Sequence, residues 1–153
     1  MIFFLIFLFG ISIGSFLNVV IFRLEKEQSF FKGRSYCPQC KHLLKIKDLF
    51  PLLSFIFQKG KCRYCQGKIS WQYPLVEFLT GLFFCAFFAK DFLFDQKELN
   101  QAILFFIRDI TFFSFLIIIF VYDFKYLLVP DKIVFFGIIF AVLSILFLKE
   151  PGF

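Results

Sequence analysis

The feature that most constrains this chain is a set of four apolar segments, each near the length needed to cross a bilayer. They occupy residues 1–22, 73–89, 103–122 and 133–148. A helix rises about 1.5 Å per residue, so about 20 apolar residues cross a hydrocarbon core of about 30 Å. The composition agrees, with 60% hydrophobic residues and a mean hydropathy of +0.83. We therefore predict an all-α polytopic membrane protein with about four transmembrane helices.

The first and third segments carry features that refine this prediction. Residues 1–22 contain no charged residue and lack the basic start and small-residue cleavage site of a signal peptide. We therefore predict that they form a retained transmembrane helix. Residues 103–122 include the adjacent opposite charges Arg108 and Asp109, which we expect to lie at the interface or to snorkel toward it.

Basic residues are concentrated between the first two apolar segments. Of the 17 Lys and Arg residues, 11 lie from Arg23 to Lys68. The positive-inside rule then predicts a cytoplasmic loop over 23–71, with both chain termini and residues 91–102 outside and residues 123–132 inside. We expect the net charge of +6 to favour the anionic headgroups of the lipid bilayer, and we predict no nucleic-acid partner.

Four of the five cysteines form two CxxC pairs in this basic loop. Cys37 and Cys40 make the first pair and Cys62 and Cys65 the second, with 21 residues between the pairs. Each CxxC turn brings two sulfurs onto one ion, and two such pairs complete a tetrahedral shell with no open position. The spacing therefore predicts a structural zinc site.

Two disulfides, or four unrelated thiols, are the alternative interpretation of these cysteines. A reducing cytoplasmic location argues against disulfides. His42, two residues after Cys40, could replace one ligand, but we expect it to be solvated. Cys85 lies within an apolar segment, and we expect it to be ordinary packing.

An apolar run, DLFPLLSFIF, separates the two cysteine pairs at residues 48–57. It is too short to cross a bilayer. We predict a helix that packs on the cysteine turns or lies in the membrane interface.

Five motifs in a fixed order give the chain a family resemblance. They are GSFLNVVIFRL (14–24), CPQC with CRYC, DLFPLLS (48–54), ISWQYPLVEFLTG (69–81) and DFKYLLVPD (123–131). Together they resemble the bacterial prepilin peptidases, also called type IV leader peptidases. The resemblance extends over nearly all 153 residues, and its specificity comes from the order and spacing of the motifs.

The resemblance implies an aspartic endopeptidase of the bacterial inner membrane. Such an enzyme removes the leader from type IV prepilins or type II secretion pseudopilins at the cytoplasmic face. Members with the four-cysteine loop often also methylate the new N-terminus with S-adenosylmethionine. On this basis residues 1–22 are the first transmembrane helix, 23–71 the cytoplasmic cysteine-rich loop, and 72–153 three transmembrane helices that form the first part of the peptidase domain.

Two aspartates flank the turn after the third apolar segment. An ionisable group at the end of a membrane span is a functional candidate by default, and the family pattern matches its first catalytic aspartate to Asp123. The alternative is a solvated carboxylate paired with Lys125. Asp131 fits the N-terminal end of the last helix, where the helix dipole favours a carboxylate.

The family's second catalytic aspartate belongs to a later GxGD motif, which these residues do not contain. Peptide hydrolysis needs one carboxylate as base and another as acid, so we expect Asp123 alone to be insufficient. The chain is expected to be an N-terminal part that requires a complementary C-terminal half. An inactive fragment, or a zinc-bearing docking or methyltransferase module, is the alternative.

Glu77, in the second apolar segment, matches the family's YPxVE pattern. It could bind a basic leader residue or a substrate amine, or it could pair with a basic side chain at a helix end. Asn18 could form a hydrogen bond between helices, and Gly14 and Ser15 would permit their close approach.

Overall fold

The computed structural model describes residues 1–30, 33–94 and 98–147. Their α-helices are α1 (Ile2–Glu25), α2 (Leu53–Phe57), α3 (Gln72–Ala89), α4 (Leu99–Tyr126) and α5 (Asp131–Phe147). In these ranges the only β pairing consists of isolated bridges, Tyr36 with Leu43 and Lys61 with Lys68. The predicted all-α class is confirmed. The chain divides into two compact units, Met1–Phe83 and Phe84–Phe153.

Each of the four apolar segments forms one long helix. Helices α1, of 24 residues, and α4, of 28 residues, are long and apolar enough to cross a membrane. Helices α3 and α5 have 18 and 17 residues and coincide with the other two predicted segments. Leu148, the predicted end of the last segment, lies outside the described residues.

In the first unit, α1 and α3 approach closely through two glycines. A Cβ on Gly14 would lie 2.8 Å from Glu77 Cα and 3.0 Å from Thr80 Oγ1. A Cβ on Gly81 would lie 2.7 Å from Ile11 Cγ2. All three distances are shorter than van der Waals contact, so glycine at both positions permits this helix spacing. The expected role of Gly14 in close helix approach is confirmed.

Asn18 adds a polar contact to the same helix pair. Its side chain is almost fully buried. Its Nδ2 donates a hydrogen bond to the Tyr73 carbonyl at 3.1 Å, and its Oδ1 accepts one from Gln72 Nε2 at 3.4 Å. The predicted hydrogen bond between helices is therefore present, at the beginning of α3.

We predict that Gly14→Ala destabilises the protein by about 1–3 kcal/mol, because the added methyl group overpacks against the α3 backbone. Gly137→Ala is the matched control: a Cβ there would meet Phe115 Cγ at 3.7 Å, an ordinary contact. Alanine at that helical position is expected to be neutral or stabilising by up to about 1 kcal/mol. Thermal unfolding in detergent measures both variants, and equal melting temperatures would contradict the close approach.

The prediction of a single helix over 48–57 is wrong. A 3₁₀ turn covers Ile46–Asp48, and an α-helix forms only at Leu53–Phe57. Between them the chain turns at Leu52, whose φ of 59° is left-handed. Pro51 restricts the residue before it to extended conformations, which explains why a helix does not pass through this position.

In the second unit, two charged residues of α4 and two that precede it in the chain neutralise one another. Asp109 accepts hydrogen bonds from Lys90 and, at 2.8 Å, from Arg108 Nε. Lys90 Nζ also lies 3.4 Å from the buried Asp91 carboxylate. Two cations and two anions therefore form one group, which lowers the cost of placing them beside an apolar helix.

The connection between α4 and α5 is shorter than the expected turn over 123–132. Helix α4 continues to Tyr126, so Asp123 belongs to its last turn. Leu127, at φ 52°, ends the helix, and its N–H donates a hydrogen bond to the Asp123 carbonyl at 2.7 Å. Asp131 is the first residue of α5, and the Pro130 carbonyl accepts hydrogen bonds from the N–H groups of Ile133 and Val134.

Candidate metal centre and candidate acidic residues

The four predicted cysteines come together in one cluster. The Sγ atoms of Cys37, Cys40, Cys62 and Cys65 all lie within 4.8 Å of one another, and Cys37 Sγ is 3.9 Å from Cys65 Sγ. A tetrahedral ion with metal–sulfur bonds of about 2.3 Å requires sulfur separations of about 3.8 Å. All four thiols are free rather than disulfide-bonded. The cluster therefore fits a four-thiolate metal ion, and these four cysteines form no disulfide in the structure.

Two turns of the same geometry hold these sulfurs, and we call them the first and second knuckle (residues 35–44 and 60–69). In the first, the Cys37 N–H donates to the His42 carbonyl; in the second, the Cys62 N–H donates to the Gly67 carbonyl. The residue after each CxxC, Lys41 or Gln66, has a φ near +57°. Each turn thereby directs two side chains to one point.

The knuckles also contact each other through corresponding positions. The third residue of the first CxxC, Gln39, occupies the space that a Cβ on Gly67 would take. The third residue of the second CxxC, Tyr64, stacks on His42 with ring centroids 3.7 Å apart. His42 is exposed, as predicted, and it is not one of the four clustered ligands.

The thiols of the second knuckle differ in proton affinity. A hydrogen bond from the backbone at Cys65 lowers the pKa of Cys62 to about 7. A backbone hydrogen bond at Gly67 lowers the pKa of Cys65, but desolvation and the other three sulfurs outweigh it and raise that pKa to about 11. A bound cation would take the place of the protons on the Cys62 and Cys65 thiols.

Asp48 connects the second knuckle to the apolar run that precedes it. Its side chain is only 2% exposed, and Arg63 Nε lies 3.3 Å from its Oδ1. Its Oδ2 accepts hydrogen bonds from the Tyr64 hydroxyl at 3.0 Å and the Lys45 N–H at 3.1 Å. Both Arg63 and Tyr64 lie between the cysteines of the second CxxC. The Asp48 carboxylate therefore holds the second CxxC turn in position through residues other than its cysteines.

Glu77 anchors the same loop to the membrane helices. Its Oε2 accepts a hydrogen bond from the Leu52 N–H at 2.7 Å, and the Ser15 side chain also bonds to the carboxylate. Glu77 is 7% exposed. Within the described ranges no basic side chain pairs with it. The carboxylate thus holds the left-handed turn at Leu52 against α1 and α3.

We predict that Glu77→Ala loosens this turn, because the Leu52 N–H loses its acceptor. An unsatisfied buried donor costs about 1–3 kcal/mol, which corresponds to a loss of amide protection of about fivefold to a hundredfold. Hydrogen exchange of the segment around Leu52, followed by mass spectrometry, measures the effect. Glu98→Ala, at an exposed position, is the control. Unchanged exchange in Glu77→Ala would mean that the carboxylate does not hold the turn.

Asp123 is exposed in the last turn of α4. The alternative ion pair with Lys125 is absent from the described residues, and Lys125 Nζ instead lies 4.9 Å from the centre of the Tyr126 ring. The Asp123 side chain is therefore presented to the surroundings at the end of a helix capable of crossing a membrane.

Two structurally important residues were missed in the sequence. Asp48, the first residue of the apolar run, is one of them. Arg23, one of the basic residues of the loop, is the other: it is buried and donates hydrogen bonds to the carbonyls of Ser29, Phe30 and Gly33. The one available signal was position: Arg23 lies inside the GSFLNVVIFRL motif and Asp48 begins DLFPLLS.

Comparison with known proteins identifies relatives of this chain. The family model described as "Bacterial Peptidase A24 N-terminal domain" matches residues 8–90. A prepilin leader peptidase/N-methyltransferase of Bacillus subtilis (strain 168) is 38% identical over 133 residues, 86% of this chain and 50% of the relative. A protein of the same name from Myxococcus xanthus (strain DK1622) is 51% identical over 81 residues, 53% of this chain and 24% of the relative.

A third relative is the type 4 prepilin-like proteins leader peptide-processing enzyme of Escherichia coli O78:H11 (strain H10407 / ETEC). It is 46% identical over 93 residues, 49% of this chain and 35% of the relative. The chain spans half or less of the length of these three relatives. No solved structure matches it.

These matches confirm the resemblance found in the five motifs. The family match includes all four clustered cysteines and Glu77. Together with the two membrane-capable helices, it identifies a bacterial membrane protein. The chain belongs to the bacterial peptidase A24 N-terminal domain family.

Proposed function

We propose that this chain supplies the N-terminal part of a prepilin peptidase, an aspartic endopeptidase that removes the leader of type IV prepilins or type II secretion pseudopilins. The observation that carries the proposal is the match to the Bacillus subtilis prepilin leader peptidase/N-methyltransferase over 86% of the chain. A continuous match that covers 86% of the chain includes position 123, whichever residue it starts from. It therefore supports a role for the DFKYLLVPD motif as well as for the cysteine loop.

Asp123 is the proposed catalytic carboxylate of this part. As a base it would take a proton from the attacking water, and a second carboxylate would protonate the leaving amine. Because the 153 residues contain no GxGD motif, the second carboxylate is proposed to come from residues beyond this sequence or from another chain. The exposure of Asp123 at a helix end is compatible with such a partner.

The proposed location is the bacterial inner membrane, with the cysteine loop and Asp123 on the cytoplasmic side. The support is the concentration of basic residues from Arg23 to Lys68, since cytoplasmic loops are enriched in Lys and Arg. We propose that the bound metal is Zn²⁺, because four thiolates in a closed tetrahedral arrangement are typical of structural zinc sites. The ion would stabilise the loop, and it takes no part in the hydrolysis.

Leader removal by a complemented enzyme tests the proposal. The chain would be co-expressed with the part of the Bacillus subtilis relative that it does not cover, in a strain lacking prepilin peptidase. The prepilin substrate would be followed by its shift in mass. We expect cleavage only when both parts are present. If neither this pairing nor a direct fusion of the two parts yields cleavage while both parts are in the membrane, the proposal is wrong.

Methylation of the new N-terminus with S-adenosylmethionine is a second candidate function, favoured by the names of the Bacillus subtilis and Myxococcus xanthus relatives. It remains a prediction. The same substrate can be examined by mass spectrometry for one added methyl group. Methyl transfer to a pre-cleaved pilin by the unpaired chain would favour the methyltransferase or docking module.

A further inference from the structure

The helix α2 carries a large apolar surface that the loop does not cover. Leu53, Ile56 and Phe57 are 52%, 64% and 80% exposed. Their spacing of three and four residues places them on one side of the helix, and we call them the α2 apolar face. Phe55 points elsewhere and contacts Trp71, with ring centroids 4.9 Å apart. Phe55 therefore packs within the loop, whereas the side chains of Leu53, Ile56 and Phe57 are left uncovered by it.

The backbone contacts of this segment place it beside the membrane helices rather than beyond their ends. Leu52, directly before α2, donates its N–H to Glu77. Glu77 lies five residues after the first residue of α3, about 7.5 Å along the helix axis, and helical side chains tilt back toward the N-terminus. The Leu52 amide is thus level with the first two turns of α3.

The contacts of Glu77 with α1 give the same depth independently. Its Cα would meet a Cβ on Gly14, and its carboxylate bonds to the Ser15 side chain. Ser15 precedes Phe22, the end of the uncharged segment of α1, by seven residues, or about 10 Å of helix. An interfacial helix buries its apolar face about 5–10 Å into the boundary between headgroups and acyl chains. Placing the boundary of the acyl region at Phe22 therefore puts the Leu52 turn at that depth.

Positive charge borders the segment on both sides. Lys45 and Lys47 precede it, Lys59 and Lys61 follow it, and all four are exposed. An apolar face bordered by lysines complements an anionic leaflet, in which ammonium groups meet lipid phosphates and apolar side chains enter the acyl region.

We propose that the loop enters the membrane interface and that the α2 apolar face contacts lipid acyl chains of an anionic leaflet. The Glu77–Leu52 hydrogen bond holds the turn at this depth, where a buried protein acceptor satisfies a backbone N–H that water would not reach. The cysteine cluster is thereby held close to the bilayer surface. The inference concerns the membrane alone and stands whether or not the chain takes part in proteolysis.

Tryptophan fluorescence in vesicles containing brominated lipid tests this insertion. All variants are made in a Trp71→Phe background, because Trp71 is the one tryptophan of the chain. Phe57→Trp and Leu53→Trp then report on the α2 apolar face, and Lys68→Trp, at an exposed position of the second knuckle, is the matched control. Each full chain is reconstituted in phosphatidylethanolamine and phosphatidylglycerol vesicles with lipid brominated on the upper acyl chain.

We expect quenching of Phe57→Trp and Leu53→Trp to exceed that of Lys68→Trp by about threefold or more, because bromine quenches on contact at the depth of interfacial insertion. Acrylamide in the aqueous phase should show the opposite order. Equal bromolipid quenching at all three positions would overturn the proposal. Protection from acrylamide without bromolipid quenching would also overturn it, and would indicate a protein partner or a second copy on this face.

Discussion

Asp123→Asn is expected to lower leader cleavage by the complemented enzyme by a factor of about a hundred to ten thousand, the usual contribution of a general acid or base. Asparagine keeps the shape of the side chain but cannot accept the proton. The measurement is the initial rate of prepilin cleavage in membranes that contain equal amounts of each variant. Helix α4 should be unaffected, because the Asp123 carbonyl, not its side chain, accepts the Leu127 N–H at the helix end.

Asp131→Asn is the matched control for this result. Asp131 is the first residue of α5, where loss of a negative charge costs about 0.3–1 kcal/mol through the helix dipole. Cleavage should therefore change little. If Asp123→Asn cleaves as fast as the wild type, Asp123 has no part in the chemistry; if Asp131→Asn is the inactive variant, the two roles are reversed.

Cys62→Ser is expected to release the metal ion and unfold the cysteine loop. In zinc-finger peptides, metal binding contributes about 10–16 kcal/mol at neutral pH, so the loss of one thiolate outweighs the other interactions of a small polar loop. Metal content by mass spectrometry should fall from about one ion per chain to a small fraction of that. Limited proteolysis should then cut between the two knuckles, and a chelator should have the same effect on the wild type.

Cys85→Ser is the control for this experiment, because Cys85 is outside the cluster. It should keep the metal and the protease resistance of the loop. A wild-type chain that binds no metal when refolded with Zn²⁺ would contradict the proposed site. So would a Cys62→Ser chain that retains both the metal and the folded loop.

The long helices and the cysteine cluster could be predicted because each depends on a local pattern. An uninterrupted apolar segment forms a helix in a membrane, since only a helix satisfies all the backbone hydrogen bonds within a single segment. A CxxC turn directs two sulfurs together whatever the rest of the chain does. In the apolar run at 48–57, Pro51 is a local signal against one continuous helix, but the left-handed turn at Leu52 depends on a distant residue, Glu77, which accepts its N–H.

The roles of Asp48 and Glu77 could not be predicted for the same reason. Each carboxylate bonds to groups that lie far away in the sequence, Asp48 to Tyr64 and Glu77 to Leu52. Local patterns carry no information about such pairs. The sequence predicts either a substrate group or a basic side chain as the partner of Glu77, yet its observed partners are a backbone N–H and Ser15.

The contacts between the two knuckles limit how this loop can be redesigned. Gln39 fits over Gly67, and Tyr64 stacks on His42. A chimera with two copies of the first knuckle would force a histidine side chain into the place of Gly67, and one with two copies of the second would leave Tyr64 facing a glycine. Although the two knuckles have similar backbones, they are not interchangeable. A transfer of this cysteine cluster into another protein must therefore include both knuckles together.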